Sequence, residues 1–257
     1  MSFWENLNAV KAFWSREIGR FIRLWQQTLL PPIITTSLYF LIFGNIIGSR
    51  VGEMRDVPFI TFILPGLVVM PVILGAYTNA SFSLFSMKFQ RSIEEIIVSP
   101  MNNAYVLAGF IVPSVVRGLI VGLLVALVSL FFVEWRPYSV LGMLGVLVLS
   151  ACFFSCVGFI NALYANHFDD VNIIPNFVLT PLIYLGGVFY SIQLLPEPWQ
   201  TLSQFNPVFY LVNLQRYAMI GVSDAPIGMT LIAILVLTAL ALAACLVLLK
   251  RGTGIRE

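Results

Sequence analysis

The sequence has 257 residues, of which 59% are apolar, 14% aromatic and only 10% charged. An ordinary soluble domain carries roughly 25% charged residues, so this composition excludes a water-soluble globule. A mean hydropathy of +0.93 excludes a disordered chain, and a net charge of only +2 argues against a nucleic-acid-binding protein. The bilayer is therefore the expected solvent, and we expect the three cysteines to be small buried hydrophobic residues.

Residues 1–28 predict an amphipathic helix that lies along the membrane. At 100° per residue an apolar stripe faces one way and a basic stripe the other; the two stripes are Leu7, Trp14, Ile18, Phe21 and Trp25, and Arg16, Arg20 and Arg23. We expect the basic face to meet anionic headgroups and the aromatic face to enter the acyl boundary. A simple role as a topological anchor is the main alternative to a functional one. No small-residue cleavage site precedes the first long apolar run, so we expect this terminus to be retained.

Six apolar runs are long enough to cross a bilayer, which takes about 20 residues per helix. They are Leu29–Gly48, Pro58–Phe82, Tyr105–Val133, Val140–Tyr164, Val171–Tyr190 and Ile227–Leu249. A transmembrane β-barrel would show alternating polarity, whereas these runs are apolar at nearly every position. The predicted fold is an all-α integral membrane protein with six transmembrane helices, an amino-terminal interfacial helix and extracellular re-entrant half-helices.

The distribution of basic residues predicts that both termini, including the tail 251–257, are cytoplasmic. Cytoplasmic loops of membrane proteins carry an excess of Lys and Arg. Nine basic residues lie on the amino-terminal side of the membrane: Lys11, Arg16, Arg20, Arg23, Lys88, Arg91, Lys250, Arg251 and Arg256. Only four lie on the other side: Arg50, Arg55, Arg136 and Arg216.

The cytoplasmic turn 88–100 predicts a short amphipathic helix that ends at Pro100. Its charged face carries Lys88, Arg91, Glu94 and Glu95, and its apolar face begins with Phe89. A solvated cap and a docking element for another protein's groove are equally consistent with this pattern.

The long extracellular excursion, 191–216 and the residues that follow it, is rich in aromatic residues and interrupted by prolines. Pro196 and Pro207 divide it into pieces too short to span, which predicts two half-helices that dip back toward the membrane. Irregular backbone at that depth is tolerated only where protein or a water-filled cavity satisfies it. The segment is therefore expected to line or close a pathway, with an extracellular lid as the alternative.

Two polar features remain. Arg117 lies near the middle of the third span, where it either locks helix packing or takes part in a pathway. His167, Asp169 and Asp170 form a polar group after the fourth span, but with no second histidine or thiolate nearby we expect a solvated turn and no metal site.

Several motifs are missing from the sequence. It has no H-E-x-x-H, no G-x-S-x-G and no G-x-x-x-x-G-K-[ST] phosphate-binding loop. The chain is thus predicted not to be an enzyme, and uphill transport would need an ion gradient or a separate ATPase. Ion-coupled carriers often show intramembrane carboxylates and repeated halves, and neither is evident here.

Three segments resemble the membrane subunit of type II ABC exporters, the ABC-2 permease family, and particularly its short six-span bacterial members. They are Phe62-Ile-Leu-Pro-Gly-Leu67, the turn Phe89–Pro100, and the pattern Leu185-Gly-Gly-Val-Phe-Tyr-Ser191 followed by Leu195-Pro196, Asn206-Pro207 and Arg216. The resemblance extends over essentially the whole chain.

The resemblance implies that the cytoplasmic end of the bundle contacts an ATPase and that the extracellular end forms a gate. In that family the cytoplasmic turn is a coupling helix that docks onto an ATPase, which assigns Phe89, Arg91, Glu94 and Glu95 to that contact. The re-entrant region lies near an outer gate and corresponds here to Gly186, Gly187, Phe189, Pro196, Pro207 and Arg216. The family pairs two permease copies with two ATPase subunits that bind ATP and Mg²⁺. It exports amphiphiles and glycans from the cytoplasm or inner leaflet.

An exporter permease of the bacterial inner membrane is thus the first functional hypothesis. An ion-coupled carrier or channel without nucleotide dependence is the second. An intramembrane enzyme is the weakest, because the chain has one histidine and no recognisable nucleophile setting.

Overall fold

The computed structural model describes residues 3–94 and 101–254. In the described part of the chain nearly all regular structure is helical. The first half contains α1 Phe3–Arg23, α2 Trp25–Thr28, α3 Leu30–Tyr39, a π-helix Phe40–Ile47, α4 Gly48–Val51 and α5 Phe59–Phe89. The second half contains α6 Asn103–Ser129, α7 Val140–Tyr164, α8 Phe168–Ile174, a π-helix Pro175–Leu179, α9 Thr180–Leu185, a 3₁₀ turn Ile192–Leu194, α10 Glu197–Gln204, α11 Pro207–Ile220 and α12 Ile227–Arg251.

Five helices within the described residues are long and apolar enough to cross a membrane: Trp25–Val51, Phe59–Phe89, Asn103–Ser129, Val140–Tyr164 and Ile227–Arg251. They match five of the predicted spans, so the all-α membrane architecture is confirmed. The predicted span Val171–Tyr190 is not among the five. Its residues lie in the helical run α8, π-helix and α9, which ends at Leu185. A total of six spans therefore stays a prediction.

The bundle is built around α5. In its most apolar stretch 78% of residues are buried, whereas the corresponding fractions for Trp25–Val51 and α12 are 12% and 17%. A helix that is apolar on all sides is stable only when neighbours surround it, and α5 packs against α6, α7 and α11. The poorly covered faces of Trp25–Val51 and α12 are left for lipid or another protein.

Small residues bring the central helices close together. A Cβ added to Gly158 on α7 would collide with the backbone carbonyl of Tyr77 on α5. A Cβ on Gly122 of α6 would lie 2.6 Å from Val72. Membrane helices associate through such close contacts, because lipid offers no hydrophobic drive for helix association.

The connections between the helices distinguish the two ends of the bundle, which we call the turn end and the hairpin end. The turn end is where α5 ends and α6 begins, and the hairpin end carries a two-stranded antiparallel ribbon, Glu53–Met54 with Val57–Pro58. The turn of that ribbon is left-handed at Arg55 and Asp56, with φ values of 56° and 63°. The backbone twist of such a two-residue turn matches the right-handed twist of the two strands that it joins.

The amino-terminal helix is present as predicted, but it contacts protein more closely than expected. Phe21 is buried, with 1% of its surface exposed, and the indole nitrogen of Trp14 donates to the carbonyl of Ala108 on α6 at 3.0 Å. Phe13 stacks edge-on against Phe110 of α6, with ring centroids 5.0 Å apart. The prediction that the aromatic stripe enters lipid is therefore wrong for Phe21, since α1 packs on the bundle along this face. The position of α1 at the membrane interface stays a prediction.

Candidate functional site

The turn end is held together by Lys88, in the last turn of α5. Its ammonium group donates to the carbonyl oxygens of Ala162, Leu163 and Ala165 at 3.0, 2.8 and 3.1 Å. These carbonyls belong to the end of α7, where the helix leaves acceptors without intrahelical partners and where a positive charge is favoured. The end of α5 is thus fastened to the end of α7. The sequence marked Lys88 only as one charge of the exposed face.

Phe89 extends the same junction toward α8. Its side chain is 68% exposed, and its ring lies 5.1 Å from Phe168 and 6.5 Å from Phe85, measured between centroids. Phe85 and Phe89 border a cavity of about 400 Å³ that Lys88 and Tyr164 also line. The predicted coupling residue therefore presents part of an aromatic surface to the outside of the turn end.

The chain bends sharply after α5. Arg91 has a left-handed backbone, with φ of 58°, and its amide donates to the carbonyl of Lys88 at 3.0 Å. Arg91 and Glu94 are both exposed, whereas Ile93 between them is buried. Phe89, Arg91 and Glu94 thus share this exposed bend. Glu95 and the rest of the predicted turn helix, 95–100, lie outside the described residues.

A buried carboxylate that the sequence did not single out joins α1 to the same end of α5. Glu17 is only 2% exposed and accepts a hydrogen bond from Ser83 Oγ on α5 at 2.6 Å. It also forms ion pairs with Arg20, at 2.8 Å, and with Arg16, at 3.8 Å. The sequence does contain a signal for this contact, because Glu17 lies on the apolar side of the basic helix α1, on the same face as Val10 and Phe21.

At the hairpin end Arg216 forms the centre of a buried ionic network. Only 1% of its surface is exposed. Nη1 lies 2.9 Å from Oδ2 of Asp224, and Nη2 donates to the carbonyl of Gly187 at 2.6 Å. The guanidinium also stacks on the ring of Phe62 at 3.9 Å, near the start of α5. The predicted gate residue thus ties α11 to α5 and to the segment after α9.

Asp224, which the sequence also did not single out, is the shared acceptor of this network. Ser191 Oγ donates to its Oδ1 at 2.7 Å, and Nη2 of Arg55 from the ribbon lies 3.4 Å from the same oxygen. The amide of Asp224 donates to Asn213 Oδ1 at 2.6 Å. One carboxylate therefore connects the ribbon, the segment after α9 and the loop before α12.

The paired glycines Gly186 and Gly187 end α9. Gly186 is the carboxyl-terminal cap of α9, and Gly187 has a φ of 77°, which side-chain-bearing residues rarely adopt. A Cβ on Gly186 would lie 2.7 Å from Val208 on α11. Phe189 then stacks on Phe43 of the first π-helix, with centroids 4.7 Å apart.

The prolines of this region begin helices. Pro196 is the amino-terminal cap of α10, and Pro207 occupies the first turn of α11, where the missing amide hydrogen costs nothing. Asn206 caps α11 by accepting from the amide of Val208 at 3.0 Å. Two short helices are therefore observed, and their re-entry into the membrane stays a prediction.

Arg117 belongs to neither end. It projects from α6, and its Nη1 donates to Asn79 Oδ1 of α5 at 3.4 Å. The Asn79 amide in turn donates to Ser114 Oγ at 3.0 Å. Arg117 also lines a cavity of about 310 Å³ between α3 and α5.

The polar group after α7 is a helix cap. Oδ2 of Asp170 accepts from the amides of Asn166 and His167, each at 2.9 Å, and these bonds hold the pKa of the Asp170 carboxyl below its ordinary value. Together with the His167 side chain they form a capping box at the start of α8. No group of three potential metal ligands occurs among the described residues.

Comparison with known proteins shows the family to which the chain belongs. Residues 8–220 match the family model described as ABC-2 type transporter. The chain is 47% identical over 249 residues to the inner membrane transport permease YadH of Escherichia coli strain K12, with 97% of each chain covered. It is 26% identical over 213 residues to nodulation protein J of Sinorhizobium fredii, with 79% of each covered, and 23% identical over 213 residues to nodulation protein J of Rhizobium leguminosarum bv. trifolii, with 82% and 80% covered. This chain therefore belongs to the ABC-2 type transporter family, as a multi-pass inner-membrane subunit of an ABC transporter.

Proposed function

We propose that the chain is the permease of an ATP-driven exporter, moving an amphiphilic or glycan-type substrate out of the cytoplasm or the inner leaflet. ATP and Mg²⁺ would be bound by a separately encoded ATPase, because the chain has no G-x-x-x-x-G-K-[ST] loop. The scarcity of charge, 10% of the chain, favours an amphiphilic cargo.

The observation that carries this proposal is the way in which α5 connects the two ends. Its 31 residues extend about 46 Å at 1.5 Å per residue. At the turn end Lys88 binds the end of α7 and Ser83 binds Glu17 of α1. At the hairpin end the carbonyl of Phe62 accepts from Arg216 Nε at 3.4 Å. A force on the turn would therefore reach the predicted gate through one continuous helix.

The turn end is the proposed docking site for the ATPase. Phe89, Arg91 and Glu94 are exposed there, and their combination of aromatic and mixed charge suits a groove on a partner protein. Glu95 is assigned to the same contact from the sequence. Closure of the ATPases on ATP would pull on the turns and rearrange the helices.

The proposed assembly is a C₂ homodimer with two ATPase subunits in the lipid membrane. Each chain contributes six spans, with Val171–Tyr190 as the fifth, and both termini face the cytoplasm. At the opposite face α10 and α11 form re-entrant half-helices that close the outer gate. The incomplete burial of Trp25–Val51 and α12 supports the presence of a further covering surface, whether lipid or protein.

The test begins with affinity purification of the tagged chain from its native host. We expect an ATPase with a phosphate-binding loop to co-purify and its hydrolysis to be vanadate-sensitive. Glu94→Lys combined with Glu95→Lys should lower ATPase recovery at least about tenfold, equivalent to 1.4 kcal/mol of binding. The matched control is Glu53→Lys with Glu134→Lys, which reverses two exposed acids near the hairpin end.

Unchanged ATPase recovery with the reversed pair would contradict docking at this turn. Substrate movement in vesicles under a proton or sodium gradient alone, with no ATPase, would instead favour the ion-coupled carrier.

A further inference from the structure

Arg117 carries a charge deep in the bundle. It lies about 21 Å along α6 from Asn103 and about 18 Å from Ser129, counted at 1.5 Å per residue. A charged side chain at such a depth costs at least about 2.5 kcal/mol unless other groups compensate it. The groups around Arg117 therefore indicate whether its charge is balanced from within the chain.

The described residues do not balance this charge. The ion pairs among them involve Glu17 and Asp224, and neither pairs with Arg117. Its hydrogen bond to Asn79 is long, at 3.4 Å, and its buried Nε has no hydrogen-bond partner among the described residues. Arg216, by contrast, is matched by Asp224 at 2.9 Å and by a backbone carbonyl at 2.6 Å. Arg117 thus has no counter-charge among the described residues.

The cavity beside Arg117 has space for such a group. Its volume is about 310 Å³, at the low end of small-molecule sites. Hydroxyl-bearing residues line it from α3 and α5, including Thr35, Thr36, Tyr39 and Thr78, and Met70 and Leu74 add apolar walls. The helix on its outer side, Trp25–Val51, is little covered by the rest of the chain, which places the cavity close to the surrounding lipid.

The chemistry of this lining selects one class of ligand. A guanidinium presents a planar fork of donors that matches a phosphate or carboxylate, and hydroxyl groups can bond the remaining oxygens. The volume admits a headgroup but not a whole amphiphile. We propose that the Arg117 cavity binds the anionic headgroup of a membrane amphiphile, whose acyl chains stay in the bilayer.

The inference needs only a chain in a membrane, so it is tested without an ATPase. The purified full-length protein is titrated with phosphatidylglycerol and with phosphatidylcholine, and bound lipid is counted by native mass spectrometry. We expect a site selective for phosphatidylglycerol, with Arg117→Gln reducing that affinity about tenfold, in keeping with the loss of charge-assisted hydrogen bonds. Arg117→Lys should retain part of it.

Two further variants make the test decisive. Gly75 borders the cavity and a Cβ there meets nothing within 4 Å, so Gly75→Leu fills the site while leaving Arg117 in place, and it should also abolish selectivity. Arg136 is exposed, so Arg136→Gln removes an equal charge elsewhere and should change nothing. Thermal unfolding of each variant reports on folding.

Equal lipid selectivity in Arg117→Gln and in the unaltered protein would overturn the proposal, as would an equal loss in Arg136→Gln. Loss of the dimer with unchanged selectivity would also overturn it, assigning Arg117 to an ion pair between two copies.

A second arm separates the two sources of such a headgroup, and this arm alone rests on the proposed function. Labelled phosphatidylglycerol is placed in proteoliposomes with the ATPase complex. Arg117-dependent movement between leaflets on ATP addition identifies cargo, whereas Arg117-dependent binding without movement identifies a bound membrane lipid.

Discussion

Replacing Asp224 with alanine tests whether the buried network stabilises the hairpin end. The change leaves the Arg216 guanidinium, 1% exposed, without its carboxylate. Removing one partner of a buried ion pair typically costs about 3–5 kcal/mol. The Ser191 hydroxyl also loses its charged acceptor, at 2.7 Å, but these losses share one carboxylate and do not simply add. We expect the free energy of unfolding to fall by about 3–5 kcal/mol.

The measurement is reversible unfolding in mixed micelles, followed by circular dichroism. Asp56→Asn is the control, because Asp56 is an exposed acid in the neighbouring ribbon and asparagine tolerates its left-handed backbone. The double variant Arg216→Met with Asp224→Leu should be less destabilised than the sum of the two single changes, since the fully buried charge of Arg216 is removed together with its partner. A loss below about 0.5 kcal/mol in Asp224→Ala, the level of an ordinary surface substitution, would refute this reasoning.

The remaining predictions concern the junctions of α5 with α7. Lys88→Met removes three hydrogen bonds to the end of α7, so it should lower the free energy of unfolding by about 1.5–3 kcal/mol. It should also weaken the coupling of ATP hydrolysis to transport. The control is Lys11→Met, at an exposed lysine, and equal coupling in the two variants would count against this role of Lys88. Gly158→Ala places a methyl group against the Tyr77 carbonyl and should cost about 1–3 kcal/mol in the same unfolding assay. Gly145→Ala, on α7 with open space around its Cβ, should instead be neutral or stabilising by up to about 1 kcal/mol, and similar losses at both positions would contradict close packing at Gly158.

The sequence was sufficient to predict the long apolar helices, because bilayer thickness imposes a length that can be counted. Val140–Tyr164 was predicted with its observed bounds. The run beginning at Phe168 is less apparent, since Asp169, Asp170 and two prolines reduce its hydropathy while the helix continues through a π-segment. The glycine and proline positions of the hairpin end were also informative, because their backbone preferences are local.

The hydrogen-bond partners of the buried polar side chains could not be predicted from the sequence in this way. Glu17 meets Ser83, 66 residues away, and Lys88 meets carbonyls more than 70 residues away. Such pairs depend on which helices become neighbours, which hydropathy does not encode. Asp224 is different: it lies eight residues after Arg216, across the left-handed Gly221, and an acid so close to a buried arginine was a usable signal.

The contrast between the two ends has a consequence for their response to ionic strength. At physiological salt the Debye length is about 8 Å, so exposed charges such as Arg91 and Glu94 are readily screened. The Arg216–Asp224 pair excludes water and ions, and its attraction is largely protected from salt. Ionic strength therefore acts on the surface through which this chain would meet a partner, while the buried contact at the hairpin end is left nearly unchanged.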